Sequence, residues 1–243
     1  KAAACVYRPW VLNSDIHLAP VAVSTATGYS FPSGHSTLAA NFFTSLAIWP
    51  EKSSRKLTIF CITATILAAF ARNWVGAHSP MDVLIGISTG IIIAFAALNF
   101  PTLIGRHKNS DILSAATVLV ISAAALIWLC LKSWPMDYNP DGTLVVDPVQ
   151  MSEDAFKAIG VITGCAAGLF VEKRFIGFTT DIPLKKKILR NVAAVPVIVV
   201  ALILFSFAEK AMGPRWGNFA VKAVLMFLAT GGIPFLFKLK TFN

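Results

Sequence analysis

The sequence predicts an all-α protein, a bundle of helices that crosses a membrane several times. Three observations support this prediction: the composition, the length of the apolar blocks and the placement of the basic residues. Of the 243 residues, 56% are hydrophobic and only 14% are charged, whereas soluble proteins average about 45–50% and about 25%. Such a composition excludes a disordered chain, a collagen-like fibre and a small disulfide scaffold.

The hydrophobic residues are gathered into seven blocks that together make up half of the chain. A helix needs about 20 mostly apolar residues to cross the hydrocarbon core, and about 17 can suffice. The first two blocks have only about 15 residues, but each continues into a polar stretch that is compatible with a helix. The blocks are residues 35–49, 57–71, 83–100, 112–131, 155–171, 192–208 and 219–237. A soluble bundle with buried core helices is the alternative, although such helices usually show a polar face, which residues 112–131 lack.

Residues 10–34 are polar, contain Pro and Gly, and show no clear period, so we predict a loop long enough to be functional. Two predicted spans follow, joined by the short turn of residues 50–56. A second polar stretch, residues 72–82, leads into the third span. Four further spans complete the chain.

The formal net charge of +9 could indicate a nucleic-acid ligand, so its placement along the chain matters. When the loops are assigned alternately to the two sides of the membrane, thirteen of the 21 basic residues fall on one side. These residues are Lys52, Arg55, Lys56, Arg106, Lys108, Lys173, Arg174, Lys185, Lys186, Lys187, Arg190, Lys238 and Lys240. The asymmetry follows the positive-inside rule. The basic residues therefore predict orientation, with this side in the cytoplasm, and we expect no nucleic-acid partner.

Polar residues that are costly at membrane depth occur in three short places. The first contains Lys1 and Arg8, the second is the YSFPSGH stretch of residues 29–35, and the third extends from Arg72 to Asp82. By the alternation of the spans, all three places lie at the outer face. Their occurrence on one face predicts a shared site.

Five of these residues can hold a phosphate. Lys1, Arg8 and Arg72 supply three cations, and both arginines can bind oxyanions in bidentate fashion. Ser33 and Gly34 directly precede a predicted span, so their backbone N–H groups lie at a helix N-terminus, where an anion is favoured. A carboxylate could bind there too, but three cations are more than one negative charge needs. The set therefore predicts a phosphate pocket.

Two histidines and one aspartate can supply the chemistry. His78 and Asp82 are four residues apart, so on a helical turn the carboxylate can hold one ring nitrogen and leave the other as a nucleophile. His35, from another span, can protonate the leaving alkoxide. Together they predict a two-step phosphoryl transfer through a phosphohistidine, which needs no metal or other cofactor.

Each of these residues also has a structural explanation. Ser79 and Asp82 fit the capped start of a helix. A single histidine is often only structural, and arginines at a membrane interface often snorkel. His35, His78 and Asp82 could also form a metal site, although three nearby cations disfavour a divalent ion. The joint occurrence of the residues on one face favours the catalytic interpretation.

At these positions the sequence resembles the type 2 phosphatidic acid phosphatase (PAP2) family, also called lipid phosphate phosphatases. The family signature has three parts, K-x6-RP, PSGH and SR-x5-H-x3-D, and the resemblance covers about residues 1–100. Ala71 stands where the family usually has Ser. The matching residues are Lys1, Arg8 and Pro9; Pro32, Ser33, Gly34 and His35; and Arg72, His78 and Asp82.

The resemblance implies a role for each site residue. It implies that His78 is the nucleophile, that Asp82 orients it and that His35 is the general acid. The implied phosphate ligands are Lys1, Arg8, Ser33, Gly34 and Arg72. The implied reaction removes phosphate from a lipid phosphate monoester, such as phosphatidic acid, or from a prenyl pyrophosphate, such as undecaprenyl pyrophosphate. The alternatives are a lipid phosphotransferase that uses the same intermediate and, from another class, a non-catalytic transporter or scaffold.

The resemblance also implies an organisation of the chain. We expect a PAP2-like catalytic core in residues 1–100 and a C-terminal transmembrane extension in residues 101–243. Because family members usually carry helices before the first motif, we expect further spans ahead of Lys1, odd in number. The expected location is the plasma (inner) membrane, with the site on the extracytoplasmic face and the lipid substrate in the bilayer.

Overall fold

The computed structural model describes residues 1–23, 26–49, 53–104, 109–179 and 181–237. Within these residues the chain is helical and forms no β-strand, which confirms the all-α prediction. The α-helices are α1 (Pro9–Leu12), α2 (Gly34–Ala47), α3 (Arg55–Trp74), α4 (Pro80–Ile104), α5 (Ser110–Leu131), α6 (Pro148–Val171), α7 (Leu184–Met212), α8 (Pro214–Phe227) and α9 (Ile233–Leu236). Of the basic residues counted above, five lie outside the described residues, namely Lys52, Arg106, Lys108, Lys238 and Lys240.

Five stretches of the described chain are long and apolar enough to cross a membrane, which confirms a polytopic membrane protein. They are Arg55–Trp74, Pro80–Asn99, Ser110–Leu131, Pro148–Ile176 and Pro214–Leu236. The predicted spans at residues 35–49 and 192–208 are not among them. The first corresponds to α2, whose 14 residues extend only about 21 Å, against about 30 Å of hydrocarbon. The second lies in α7, a 29-residue helix, and three of its residues, 204, 206 and 208, lie outside the described side chains, so this span stays a prediction.

The helices form two compact units. Unit 1 comprises Lys1–Arg106 and Trp134–Met151, and unit 2 comprises His107–Ser133 and Ser152–Asn243. The loop between α5 and α6 therefore packs with the N-terminal helices, although it lies beyond residue 100 in the sequence.

In unit 1, two glycines allow α4 to pack closely against α2. A Cβ atom on Gly86 would lie 2.8 Å from the carbonyl oxygen of Ser33, and one on Gly90 would collide with the backbone of Thr37. Small residues four apart are a common means of close helix contact in membranes. Because α2 and α4 begin at the same end of this contact, the backbone N–H of Ser33 donates to the carbonyl oxygen of Asp82 at 2.9 Å.

The α5–α6 loop completes unit 1 through an apolar cluster with the N-terminal segment. Tyr29 is fully buried, and its ring stacks on Trp134 with 6.4 Å between centroids and 6° between planes. Met151 is buried in the same cluster, and Tyr7 packs against it. The hydroxyl of Tyr7 donates to Asp137, and this bond raises the pKa of the tyrosine to about 12. The loop is therefore anchored to the segment that precedes α2.

Unit 2 contains a second close helix contact. A Cβ atom on Gly160 would collide with Phe219, and one on Gly164 would collide with Ala223, so α6 and α8 approach backbone to backbone. Arg190, near the start of α7, is 5% exposed and donates from Nη1 to the carbonyl oxygen of Thr179 at 2.6 Å. The α6–α8 contact is thus of the same close kind as the α2–α4 contact of unit 1.

Candidate active site

The sequence-predicted residues lie where helices of unit 1 begin or end. Arg8 directly precedes α1, and Ser33 caps the start of α2 by accepting a hydrogen bond from the backbone N–H of Ser36 at 3.4 Å. Arg72 lies in the last turn of α3, and Asp82 lies in the first turn of α4. These positions place polar groups at helix ends, where the backbone itself needs hydrogen-bond partners.

His78 lies at the centre of the site, in the loop between α3 and α4, and is 3% exposed. Its Nε2 atom is 3.0 Å from Nη1 of Arg8, and its Nδ1 atom is 3.3 Å from the hydroxyl oxygen of Ser30. The carboxylate Oδ2 of Asp82 is 3.7 Å from Nδ1. The side-chain amide of Asn73 donates to the carbonyl oxygen of His78 at 2.9 Å, which holds the loop in place. The two ring nitrogens therefore face different environments.

The guanidinium of Arg8 is buried and makes several hydrogen bonds. Nε donates to the carbonyl oxygen of Gly28 at 3.0 Å, Nη2 to that of Thr27 at 2.9 Å and Nη1 to that of Ala77 at 2.7 Å. Burial and the charge of Arg72 lower the pKa of Arg8 to about 10, so it remains a cation at neutral pH. Arg8 thus connects the loop of residues 10–34 to the loop that contains His78. It also places a positive charge beside Nε2 of His78.

Asp82 combines the two roles that the sequence left open. Its Oδ2 atom accepts from the backbone N–H of Ser79 at 2.7 Å, and its own N–H donates to the Ser79 hydroxyl at 3.2 Å. This reciprocal pair is a capping box at the start of α4. The same Oδ2 atom accepts from the hydroxyl of Ser30 and lies near His78. Asp82 is therefore a helix cap whose carboxylate also faces the imidazole.

The environment of His78 favours the neutral imidazole. Burial, followed by the positive charges of Arg8 and Lys1, lowers the pKa of His78 to about 3. The nearby Asp82 acts in the opposite direction but does not reverse the shift. At neutral pH one ring nitrogen therefore carries a free electron pair, which is what a nucleophile needs.

Lys1 and Arg72 lie near enough to His78 for their charges to act on it. Gly34 and His35 lie at the beginning of α2. Partial burial of the ring, followed by the positive charges of Arg72 and Lys1, lowers the pKa of His35. Arg72 is half-buried, and its buried Nε atom has no hydrogen-bond partner within the described part of the chain. An arginine with an unused buried donor is suited to an anion, because the donor lacks both water and a protein acceptor.

The structure brings Arg8, Ser30, His78 and Asp82 into direct contact, with Ser33 attached through its backbone. Ser30 was not among the predicted site residues. The signal that could have identified it is its place in the YSFPSGH stretch of residues 29–35, three residues before Ser33. The α5–α6 loop was also missed, because its contact with Tyr29 joins residues that are far apart in the sequence.

Long apolar helices, with a buried imidazole and several cations at their ends, define an integral membrane protein with a polar, cationic site. The PAP2 superfamily model matches residues 1–106, and the model described as the transmembrane extension of PAP2 superfamily phosphatases matches residues 156–242. The chain belongs to the PAP2 superfamily.

Two curated relatives, both from Bacillus subtilis strain 168, match part of the chain. Undecaprenyl-diphosphatase BcrC is 33% identical over 132 residues, which are 54% of this chain and 60% of the relative. Phosphatidylglycerophosphatase B is 30% identical over 111 residues, which are 43% of this chain and 54% of the relative. The chain therefore spans a little more than half the length of the curated relatives that it matches. No solved structure matches the chain.

Proposed function

We propose that the chain is a membrane phosphatase that hydrolyses a lipid phosphate monoester or a prenyl pyrophosphate through a phosphohistidine at His78. The observation that carries the proposal is the pair of contacts at the imidazole, with Arg8 at Nε2 and a hydroxyl at Nδ1. The two relatives act, by their names, on undecaprenyl diphosphate and on phosphatidylglycerophosphate. Both substrates are phosphorylated lipids, which supports the substrate class.

In the first step, Nη1 of Arg8 exchanges its hydrogen bond with Nε2 of His78 for one with a phosphoryl oxygen. The Nε2 electron pair then attacks phosphorus, and the bond from phosphorus to the leaving oxygen breaks. Once the phosphate is bound, its negative charge offsets the cations near His35 and favours the imidazolium, which donates its proton to that oxygen. In the second step, His35 takes a proton from water, the water oxygen attacks phosphorus, and the phosphorus–nitrogen bond breaks. Lys1, Arg8 and Arg72 stabilise the charge on the phosphoryl oxygens, together with the backbone N–H groups of α2. Among these groups the N–H of Gly34 faces the phosphate, since the N–H of Ser33 already donates to the carbonyl oxygen of Asp82.

An apolar cleft supports a lipid as the substrate. The cleft lies between α2, α3 and α4, has a volume of about 320 Å³, and is lined by apolar residues that include Phe43, Cys61 and Ile91. Phe43 follows His35 by eight residues, which is about 12 Å along the helix. A hydrocarbon chain in the cleft would thus extend from a phosphate held at the start of α2.

The proposal includes the organisation and location of the protein. Residues 1–100 contain the catalytic core, and residues 101–243 form the transmembrane extension. The distribution of basic residues supports a site on the extracytoplasmic face of the plasma membrane. The chemistry described above uses only side chains of this chain, so we expect it to proceed in the presence of a chelator.

The test is phosphate release by the purified full chain in lipid nanodiscs. The substrates are phosphatidic acid, phosphatidylglycerophosphate and undecaprenyl pyrophosphate, each with and without EDTA. We expect release that EDTA leaves intact and orthovanadate inhibits. His78→Ala should abolish turnover and the acid-labile phosphoenzyme, whereas His17→Ala, which removes an exposed loop histidine, should retain both.

Three outcomes would contradict the proposal. A phosphoenzyme that forms in His78→Ala would exclude His78 as the nucleophile. Transfer of labelled phosphate to an added lipid or sugar, without release of free phosphate, would indicate a phosphotransferase. Inactivity of the intact protein on every phosphate ester would favour a transporter or scaffold.

A further inference from the structure

Ser30 is fully buried at the centre of the candidate site. None of the three parts of the family signature, K-x6-RP, PSGH and SR-x5-H-x3-D, includes it. Its hydroxyl lies between the imidazole of His78 and the carboxylate of Asp82. We propose that Ser30 is a positioning residue, whose hydroxyl relays the orienting effect of Asp82 to His78. This inference rests on the proposed function, because it concerns the same nucleophile.

The distances favour a relay over a direct bond between the histidine and the aspartate. Nδ1 of His78 and Oδ2 of Asp82 are 3.7 Å apart, which is longer than a hydrogen bond. The Ser30 hydroxyl oxygen is 3.3 Å from Nδ1 and also donates to Oδ2. The carboxylate therefore reaches the ring through the serine.

Hydrogen-bond chemistry assigns a direction to each step of the relay. An ionised carboxylate can only accept, so the Ser30 proton points to Asp82. The serine oxygen is then free to accept, and the proton of the neutral imidazole lies on Nδ1. At the other side of the ring, the guanidinium of Arg8 can only donate, so Nε2 must carry the electron pair. Both sides of the ring select the same tautomer, and that tautomer presents Nε2 as the nucleophile.

The relay also stabilises the intermediate. When Nε2 bonds to phosphorus, the ring becomes a cation while Nδ1 keeps its proton. That proton strengthens its bond to the Ser30 oxygen, and the Ser30 proton remains bonded to the Asp82 carboxylate. No proton leaves the relay during the step. The negative charge of Asp82 thus compensates the positive ring without direct contact.

The surrounding structure holds Ser30 in place. Its backbone N–H donates to the carbonyl oxygen of Val6 at 2.7 Å. The preceding residue, Tyr29, stacks on Trp134 of the α5–α6 loop. The position of the hydroxyl is therefore determined by backbone contacts and by the loop, and the relay is preorganised before substrate binds.

The test compares Ser30→Ala with the wild type and with a matched control. Ser152→Ala makes the same change at another buried serine, in unit 2, whose hydroxyl has no partner among the described residues. We expect Ser30→Ala to lower kcat by about 10- to 100-fold and to leave KM within about 2-fold, whereas Ser152→Ala should change neither. Ser30→Cys preserves the packing but has a weak donor, so it should lose as much as Ser30→Ala, and it serves if the alanine variant does not fold.

Two further measurements separate positioning from a merely structural role. Orthovanadate binds as a mimic of the pentavalent state, so in Ser30→Ala its inhibition constant should rise by about the factor by which kcat falls. The inhibition constant of inorganic phosphate should not change. In a protein that already carries Asp82→Asn, adding Ser30→Ala should lower kcat by less than about 3-fold, because the relay is already broken.

Either of two results would overturn the relay. One is a kcat for Ser30→Ala within about 2-fold of the wild type, after correction for the folded fraction. The other is a double variant, Ser30→Ala with Asp82→Asn, in which the fold-loss of kcat equals the product of the losses in the two single variants. Both comparisons use a wild type that releases phosphate and a His78→Ala variant that does not. An inactive wild type would instead contradict the proposed function, so the two failures are distinguishable.

Discussion

Each unit buries one arginine to nearly the same depth, but the two arginines have different surroundings. Arg8 of unit 1 is 4% exposed and Arg190 of unit 2 is 5% exposed. Arg8 contacts three carbonyl oxygens and the ring nitrogen of His78. Arg190 donates to the carbonyl oxygen of Thr179 and lies over two aromatic rings, at 6.0 Å from the centroid of Phe178 and 5.1 Å from that of Phe237.

The comparison shows that a buried charge does not by itself indicate catalysis. An arginine over aromatic rings is stabilised by cation–π contact, and that arrangement ties two segments of unit 2 together. An arginine beside a neutral histidine instead determines the tautomer of the imidazole, because the ring nitrogen that faces the guanidinium must accept. The nature of the neighbouring group, more than the depth of burial, distinguishes the candidate active site.

The largest difference should come from replacing each arginine with lysine. Arg8→Lys keeps the charge but loses the planar set of donors that holds Thr27, Ala77 and His78. We expect kcat/KM to fall by about 1,000-fold in Arg8→Lys and to stay within about 3-fold in Arg190→Lys, whose ammonium retains the contact with the rings. Phosphate release by folded protein in nanodiscs is the measurement. Equal losses in the two variants would mean that the arginines have the same role.

A smaller difference should come from the close helix contacts, one in each unit. Gly90→Ala and Gly164→Ala each add one methyl group where it would collide with a facing backbone. In unit 1 the displacement separates α2 from α4 and moves Ser33 relative to Asp82, so we expect kcat to fall by about 10- to 100-fold. Gly164→Ala should lower the melting temperature by a similar amount but leave kcat of the folded protein within about 3-fold. A loss of kcat in both variants would show that the units do not act separately.

The smallest effect concerns the dependence of stability on pH. The folded-state pKa of His78 is about 3, whereas an unfolded histidine titrates near 6.5. Below about pH 6.5 the unfolded state therefore binds a proton that the folded state does not, and the free energy of unfolding falls as pH is lowered. When pH is lowered from 7.5 to 5.5, the free energy of unfolding should fall by about 1 kcal/mol more in the wild type than in His78→Gln. That difference corresponds to a few degrees in Tm.

Thermal unfolding at the two pH values provides the measurement, with His17→Gln as the control, since His17 is exposed. The wild type and His17→Gln should lose stability in parallel as pH falls, and His78→Gln should lose less. If all three proteins lose the same stability, the pKa of His78 is not lowered in the folded protein.

Local sequence patterns were sufficient for the membrane character and for several details of the helices. The apolar blocks at residues 57–71, 83–100 and 112–131 each lie within a long helix. Ser79 and Asp82 form the predicted cap of α4. The block at residues 35–49 is not a candidate span, because its helix, α2, has only 14 residues. Block length and composition therefore predicted a span where the helix extends beyond the block.

The sequence by itself determined that the chain is a helical membrane protein and which residue types meet at its polar end. These features depend on hydropathy and on spacing within single helices and turns, which act over a few residues. Only the tertiary structure decided that Ser30 lies between His78 and Asp82, that Arg8 contacts the imidazole, and that the α5–α6 loop packs on Tyr29. Those contacts join residues 48, 70 and more than 100 positions apart. They form because the close contact of α2 with α4, and the stacking of aromatic rings, bring separate segments into one core.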